Sequence, residues 1–230
     1  VWLPIPIEYA QVNNFKILSL SHPNAVVSPE DFPQRTVCFH GPADENRPFS
    51  VEYEYETHMR YIKPDPALVT DSQPTFYTEE YAPHIRFTPY LKALAAEITS
   101  GEKNPLIAAR KIYDFITTRV MYSYMRAYMT MPMVPEYCAT SLKGDCGVQA
   151  LLFITLCRIC GIPARWQAGL YVEPLDVGSH DWTQFYVAPY GWLFADPSFG
   201  GSAWRAGAKE RWDFYFGNLD PYRMPANSEY

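Results

Sequence analysis

Gly144-Asp145-Cys146-Gly147-Val148-Gln149-Ala150-Leu151-Leu152-Phe153-Ile154-Thr155-Leu156-Cys157-Arg158-Ile159-Cys160-Gly161-Ile162-Pro163 is the stretch on which the reading of this 230-residue chain turns. From 148 to 160 only Gln149, Thr155 and Arg158 are polar. A helix here is apolar nearly all round, so it is predicted to lie buried at the centre of the fold. Gly161, followed two residues later by Pro163, signals its C-terminus. Asp145 is the predicted N-cap, which puts Cys146 in the first turn. There the unpaired N–H groups and the positive end of the helix dipole are expected to favour a thiolate and lower the cysteine pKa. The five cysteines (38, 138, 146, 157, 160) form an odd set with no framework spacing, so at least one free thiol is expected.

Downstream of Pro163 the pattern turns to strands over Ala164–Tyr171, His180–Val187 and Trp192–Ala195, with Pro-Tyr-Gly at 189–191 as a turn between the last two. Closing that hairpin brings Asp196 back to the height of residues 180–184. His180 and Asp196 can then meet across neighbouring strands, although the register is not legible in the sequence. Upstream, Thr88-Pro89 and Asn104-Pro105 are N-cap and first-turn pairs. They open two amphipathic helices, one with Leu91, Leu94, Ala95 and Ile98 on a face, the other running from Leu106 to Val120. The periodicity then dissolves into a predicted loop, 121–145, that holds five of the seven methionines; loops this long in a compact domain are often functional.

Twelve of the 21 prolines fall within the first 90 residues, which makes long helices there improbable. Val51, Tyr53, Tyr55, Thr57, Met59 and Tyr61 alternate with Glu52, Glu54, Glu56, His58 and Arg60, the period of a strand with one wet face. The glutamates read as that solvated face, since metal ligands converge rather than line up in a row. Residues 1–80 are therefore expected to form a small antiparallel β-rich region, and 81–230 the core that carries the chemistry.

The composition is 48% hydrophobic, 16% aromatic and 19% charged, which excludes a disordered tail, a collagen and a coiled coil. A formal charge of −6 without a basic cluster argues against a nucleic-acid partner, and no apolar run reaches the length of a membrane span. The chain starts at Val1 rather than Met, so a removed leader and the compartment are left open. Zinc-protease, P-loop, dinucleotide-fold and serine-hydrolase motifs do not occur, nor does an EF-hand loop. Neither a metal nor any other cofactor is expected. Cys157-Arg-Ile-Cys160 matches C-x-x-C but sits at the end of the buried helix, where packing is its expected duty.

Cys146, His180 and Asp196 supply a nucleophile, a proton carrier and an orienting carboxylate in the order Cys, His, Asp. Around them, Gly144-Asp145-Cys146-Gly147, Arg158-Ile-Cys-Gly-Ile-Pro-Ala-Arg165, His180-Asp-Trp182 and Gly191-Trp-Leu-Phe-Ala-Asp-Pro-Ser198 together resemble the core of the transglutaminase-like superfamily over about residues 85–220. The resemblance implies a papain-like α+β fold, with the Cys helix packed on an antiparallel sheet that supplies the other two groups, preceded by a β-rich N-terminal extension. It implies Cys146 as nucleophile, His180 as general base and acid, Asp196 as orienting residue, Trp182 beside the histidine and Gly147 giving close approach near the thiol. An oxyanion hole would use the Cys146 N–H and an upstream aromatic donor, for which Tyr122 and then Tyr124 are the candidates. Trp2-Leu-Pro-Ile-Pro6 resembles the β extension of bacterial members. Phe216-Gly-Asn-Leu-Asp-Pro-Tyr-Arg-Met224 resembles a run into a last strand, with a further strand beyond Tyr230 implied. The implied activity is thiol-dependent acyl transfer or hydrolysis on a peptide or protein amide or isopeptide bond. A cross-linking transglutaminase and a non-catalytic binding or scaffolding domain are the alternatives. Trp166, Trp182, Trp192, Trp204 and Trp212, with Phe214, Tyr215 and Phe216, are expected mainly in the core, some of them lining an apolar cleft for an extended peptide.

Overall fold

The structure, a computed structural model, describes residues 1–42 and 47–229. In chain order its elements are β1 (Trp2–Pro4), β2 (Val12–Leu20), β3 (Val26–Val27), β4 (Thr36–Cys38), β5 (Val51–Thr57), α1 (Pro89–Thr99), α2 (Pro105–Arg119), β6 (Met121–Tyr122), α3 (Val134–Ser141), β7 (Lys143–Gly144), α4 (Cys146–Ile159), β8 (Ala164–Glu173), β9 (Asp176–Val187), β10 (Gly191–Ala195), α5 (Pro197–Arg205), α6 (Lys209–Phe214), β11 (Phe216–Gly217) and β12 (Arg223–Asn227). The chain forms two compact units, one of Val1–Arg60, Gln167–His180 and Asp220–Tyr230, the other of Tyr61–Trp166 and Asp181–Leu219.

The first unit is built from antiparallel β-pairs. β4 lies between β1 and β3, with Leu3 opposite Val37 and Val26 opposite Cys38, over a small core of Ile5, Val37 and Phe39. β2 pairs with β5, and Val51, Tyr53 and Tyr55 are half-buried while Glu52, Glu54 and Glu56 face solvent. The glutamates meet β2: Glu54 pairs with Lys16, Glu56 accepts from Asn14 at 2.9 Å and Glu52 from Ser19 at 3.1 Å. The strand stops at Thr57 rather than running to Tyr61: its partner begins at Val12, opposite Thr57, and past that pair the His58 N–H still donates to the Gln11 carbonyl at 3.0 Å. β12 pairs with the later part of β8, Arg223 opposite Tyr171. A Cβ at Gly169 would lie 1.9 Å from the Met224 carbonyl oxygen, so only glycine lets these two backbones close up.

The second unit is organised around α4. Thr88 caps α1 by accepting from the Leu91 N–H at 3.2 Å, and Asn104 caps α2 by accepting from Leu106 and Ile107. Every residue of α4 from Cys146 to Arg158 is buried, and α1, α2, α3 and α5 pack around it. Its three polar side chains all donate to backbone carbonyls, while Gln149 Oε1 is buried without a partner. Gln149 donates Nε2–H to the Gly144 carbonyl at 2.9 Å, Thr155 donates to the Leu151 carbonyl at 2.7 Å, and Arg158 donates Nε–H to the Ala164 carbonyl at 2.8 Å and Nη1–H to that of Glu79 at 2.9 Å. Gly161, at φ 74°, ends the helix while the Ile162 N–H reaches back to the Cys157 carbonyl at 2.9 Å.

On the sheet side of this unit, β10 lies between β9 and β11, antiparallel to both, in the register Gly191 opposite Val187 and Ala195 opposite Thr183. Phe153 of α4 meets Phe185 of β9 edge-on at 5.7 Å, and Phe185 stacks on Phe216 at 5.2 Å. The fold is thus α+β, with the cysteine helix packed on an antiparallel sheet and strand-rich structure at the N-terminus.

Residues 121–145 differ from the loop expected there. β6 pairs in parallel with β7, Tyr122 opposite Gly144, a short 3₁₀ turn forms at Tyr128–Thr130, and α3 lies between them, burying Val134 and Cys138. The helix is short, starts without a side-chain cap and ends on Leu142 in the left-handed region instead of a glycine. The usual stop signal is missing, and Pro135 and Glu136 in its first turn are the only marks it leaves in the sequence.

Candidate active site

The start of α4 is fixed by its cap. Asp145 accepts the Val148 N–H at 3.0 Å through Oδ1, a bond whose loss typically costs about 1 kcal/mol, and so holds Cys146 at the first helical position. Gly144, just before it, is clamped by the Gln149 side chain and by the Ser123 N–H, which donates to its carbonyl at 3.2 Å. The pairing of Tyr122 with Gly144 brings the Tyr122 side chain to the start of α4, where its phenol and the Cys146 thiol influence each other electrostatically, although 56% of the Tyr122 surface stays exposed. Burial, and then the thiol itself, push the Tyr122 phenol up to about 12. Tyr124 stands 91% exposed in solvent, so of the two candidates only Tyr122 comes to Cys146.

Cys146 is buried, with 8% of its surface exposed. Its Sγ lies 3.5 Å from Asp181 Oδ2, and the Asp181 backbone N–H also donates to it. The expected lowering of the thiol pKa is not what this surrounding produces. Burial pushes the thiol up, the Asp181 charge adds to it, and Asp145 and Asp196 act in the same direction against the Asp181 N–H. A helix start taken by itself is a cationic environment, but the carboxylates standing around this one reverse the sign. The surroundings of the Cys146 thiol therefore favour its protonated form.

Gly147 has crowded surroundings. A Cβ there would lie 2.2 Å from Tyr128 Oη and 2.7 Å from Asp181 Oδ2, so the glycine permits both groups to close on the residue after Cys146. Tyr128, on the 3₁₀ turn of the 121–145 segment, donates its hydroxyl to Asp145 Oδ1 at 2.5 Å. Burial and that bond push its phenol far up. Tyr128 and Asp181 are the two groups that sequence reasoning missed. Asp181 stands inside the His180-Asp-Trp182 motif without an assigned role, and nothing in the sequence around Tyr128 announces a partner 17 residues away.

His180 is buried on β9, directly before Asp181, and Trp182 is fully buried two residues on. The register that sets Ala195 opposite Thr183 puts Asp196 level with this part of β9, in keeping with the hairpin expected from the Pro-Tyr-Gly turn. Asp196 is fully buried and caps α5, accepting the Phe199 N–H and the Ser198 hydroxyl at 2.9 Å each through Oδ1. Among the described residues no group of three or more His, Cys, Asp or Glu is placed to hold a metal ion. All five cysteines are free. Phe214 and Phe216 do line a cavity, of about 610 Å³, together with Tyr61 and Arg110, but Cys146 is not part of its wall.

A model of the transglutaminase-like superfamily matches residues 92–197, the span that holds Cys146, His180 and Asp196. Among solved structures, a Cytophaga hutchinsonii protein named "putative cysteine protease" is similar over 86% of this chain and 70% of its own, at 18% identity and a TM-score of 0.60, a likeness of fold. The periplasmic domain of TgpA from Pseudomonas aeruginosa aligns over 55% of this chain and 49% of its own, at 20% identity and a TM-score of 0.44. A protein from Parabacteroides distasonis named "putative protease" aligns over 84% and 39%, at 17% identity and a TM-score of 0.40. No curated protein matches the sequence. No described helix is long and apolar enough to cross a membrane.

Proposed function

We propose that the chain is a cysteine enzyme that attacks a peptide or protein amide, with Cys146 as nucleophile, His180 as proton carrier and Asp196 as orienting carboxylate. The observation that carries this reading is the Cys146 thiol in the first turn of the buried helix of a transglutaminase-like segment, with the Tyr122 phenol beside it. Because burial and three carboxylates favour the protonated thiol, attack requires the Sγ proton to pass to His180 as the C–S bond forms. The tetrahedral oxyanion is held by the Cys146 N–H and the Tyr122 hydroxyl. His180 then gives its proton to the departing amine as the C–N bond breaks, leaving a thioester. In the second half a water molecule attacks the thioester carbon, its proton goes to His180 and returns to Sγ as the C–S bond breaks. An amine acceptor in place of water would make the same chemistry a cross-linking reaction, and hydrolysis is the reading put forward.

The test is turnover of protein and peptide amides by the wild-type chain and by Cys146→Ala. New peptide termini identify proteolysis, ammonia release without added amine identifies deamidation, and amine incorporation identifies cross-linking. Activity that survives Cys146→Ala in a folded protein contradicts the proposal and favours a binding or scaffolding role.

A further inference from the structure

Gln149 is fully buried, three residues after Cys146, and its amide is only half used. Nε2 donates to the Gly144 carbonyl at 2.9 Å, whereas Oε1 is buried without a partner. A buried acceptor left unpaired costs about 1–3 kcal/mol. An apolar side chain of similar size would remove that cost, and the Gly144 carbonyl would still accept the Ser123 N–H at 3.2 Å. Stability therefore does not account for an amide in this apolar helix. Its bonded half acts beside the thiol. The Gln149 backbone N–H donates to the Asp145 carbonyl at 3.1 Å, so this one residue holds the carbonyls of both peptide groups that precede Cys146, and the second of those groups carries the Cys146 N–H. Gly144 needs such a hold. A Cβ there would lie 2.5 Å from Val148 Cγ1, so glycine is required, and glycine restrains its own backbone least. Gly144 also stands opposite Tyr122, so the Gln149 amide pins the junction from which the Cys146 N–H and the Tyr122 side chain both emerge.

We propose that Gln149 is a positioning residue of the oxyanion site, fixing the peptide groups before Cys146 so that the Cys146 N–H points to where the tetrahedral oxyanion forms. The inference rests on the proposed function, with Cys146 as nucleophile. Oxyanion donors act only when they are in place before the charge develops. Loss of the amide leaves every donor in the chain but loosens the junction that aims them, and a misplacement of about 1 Å costs up to about 10²-fold in rate.

The test compares two reactions of one thiol, of which only the first needs an oxyanion. With p-nitrophenyl acetate, Sγ loses its proton to the base and adds to the ester carbon. The oxyanion then collapses, the C–O bond breaks, p-nitrophenolate leaves and an acetyl thioester stays on Cys146. With iodoacetamide, Sγ displaces iodide at a saturated carbon and no oxyanion forms. Both rates at Cys146 are followed by peptide mass spectrometry in wild type, Gln149→Met and Gln149→Leu, with Tm measured alongside. The expected result is acylation at least about tenfold slower in both variants, alkylation within about twofold of wild type, and a Tm that does not fall. An acylation-to-alkylation ratio that both variants leave unchanged overturns the proposal. So does failure of both variants to fold, because the amide then serves the fold. Those two outcomes remove this inference alone, whereas a wild-type Cys146 acylated no faster than the other four cysteines removes the nucleophile reading itself.

Discussion

Two cysteines on one helix, Cys146 at the start of α4 and Cys157 near its end, are both buried and both have their thiols pushed up by burial. Their company differs. Cys157 lies in the apolar body of the helix with no surface exposed, and the one charged influence upon it is Cys160. Cys146 retains 8% exposure and is met by Asp181, by the Tyr122 hydroxyl and by the charges of Asp145 and Asp196. Burial alone therefore does not separate a packing thiol from the proposed nucleophile. The difference lies in the polar groups that neighbouring elements bring to the first turn, and α4 serves as an inert anchor along its body so that its end can be presented to them.

The largest expected effect separates the two thiols outright. Cys146→Ala should lower thiol-dependent turnover at least about 10³-fold with little change in the melting temperature. Cys157→Ala should leave turnover standing and cost about 1–2 kcal/mol in denaturant unfolding, since it opens a void in a closed core. Equal effects on turnover would erase the contrast. Next comes His180→Ala, expected to lose about 10²–10⁴-fold in kcat/KM and to flatten the acid limb of the pH profile. Asp196→Asn should lose less and still fold, because asparagine keeps a cap on α5 for the Phe199 N–H.

A finer probe is Gly147→Ala, whose methyl would collide with Tyr128 and Asp181. It should destabilise the chain, and removing the ring with Tyr128→Ala should relieve part of that cost, giving a coupling of about 0.5–3 kcal/mol in a double-mutant cycle. Strict additivity would mean that the two groups do not share the space. The smallest effect is in the pH dependence of stability. A thiol whose native pKa is raised binds its proton more tightly folded than unfolded, so its contribution is whole below the ordinary thiol pKa of about 8.5 and is lost as the pH rises above it. Stability should decline in alkali, and each of the two alanine variants should flatten part of that decline in urea titrations from pH 7 to 10.

Much of this architecture is legible in the amino-acid sequence. The three caps Thr88, Asn104 and Asp145, the buried body of α4, the strands around the Pro-Tyr-Gly turn and the wet glutamate face of β5 all follow from local rules of capping and periodicity. What escapes such rules depends on distance in the chain. α3 lacks the capping side chain and the terminal glycine that announce a helix, and it is held by packing under α4. The direction of the thiol pKa shift is hidden for the same reason, because the helix dipole is a local property whereas Asp181 arrives from a strand 35 residues away. Tyr128 illustrates the same limit, since its bond to Asp145 exists only once the 121–145 segment has folded back.

The central claim is that Cys146 is a nucleophile served by a base, and the most direct measurement is alkylation by iodoacetamide at pH 7 with all five cysteines followed by peptide mass spectrometry, in wild type and in His180→Ala. A thiol whose surroundings favour its protonated form reacts quickly only when a base takes its proton. The account predicts that Cys146 is modified faster than the other four and slows markedly in His180→Ala. Labelling of Cys146 no faster than that of the half-buried Cys38 and Cys160, or unchanged by the loss of His180, would contradict it.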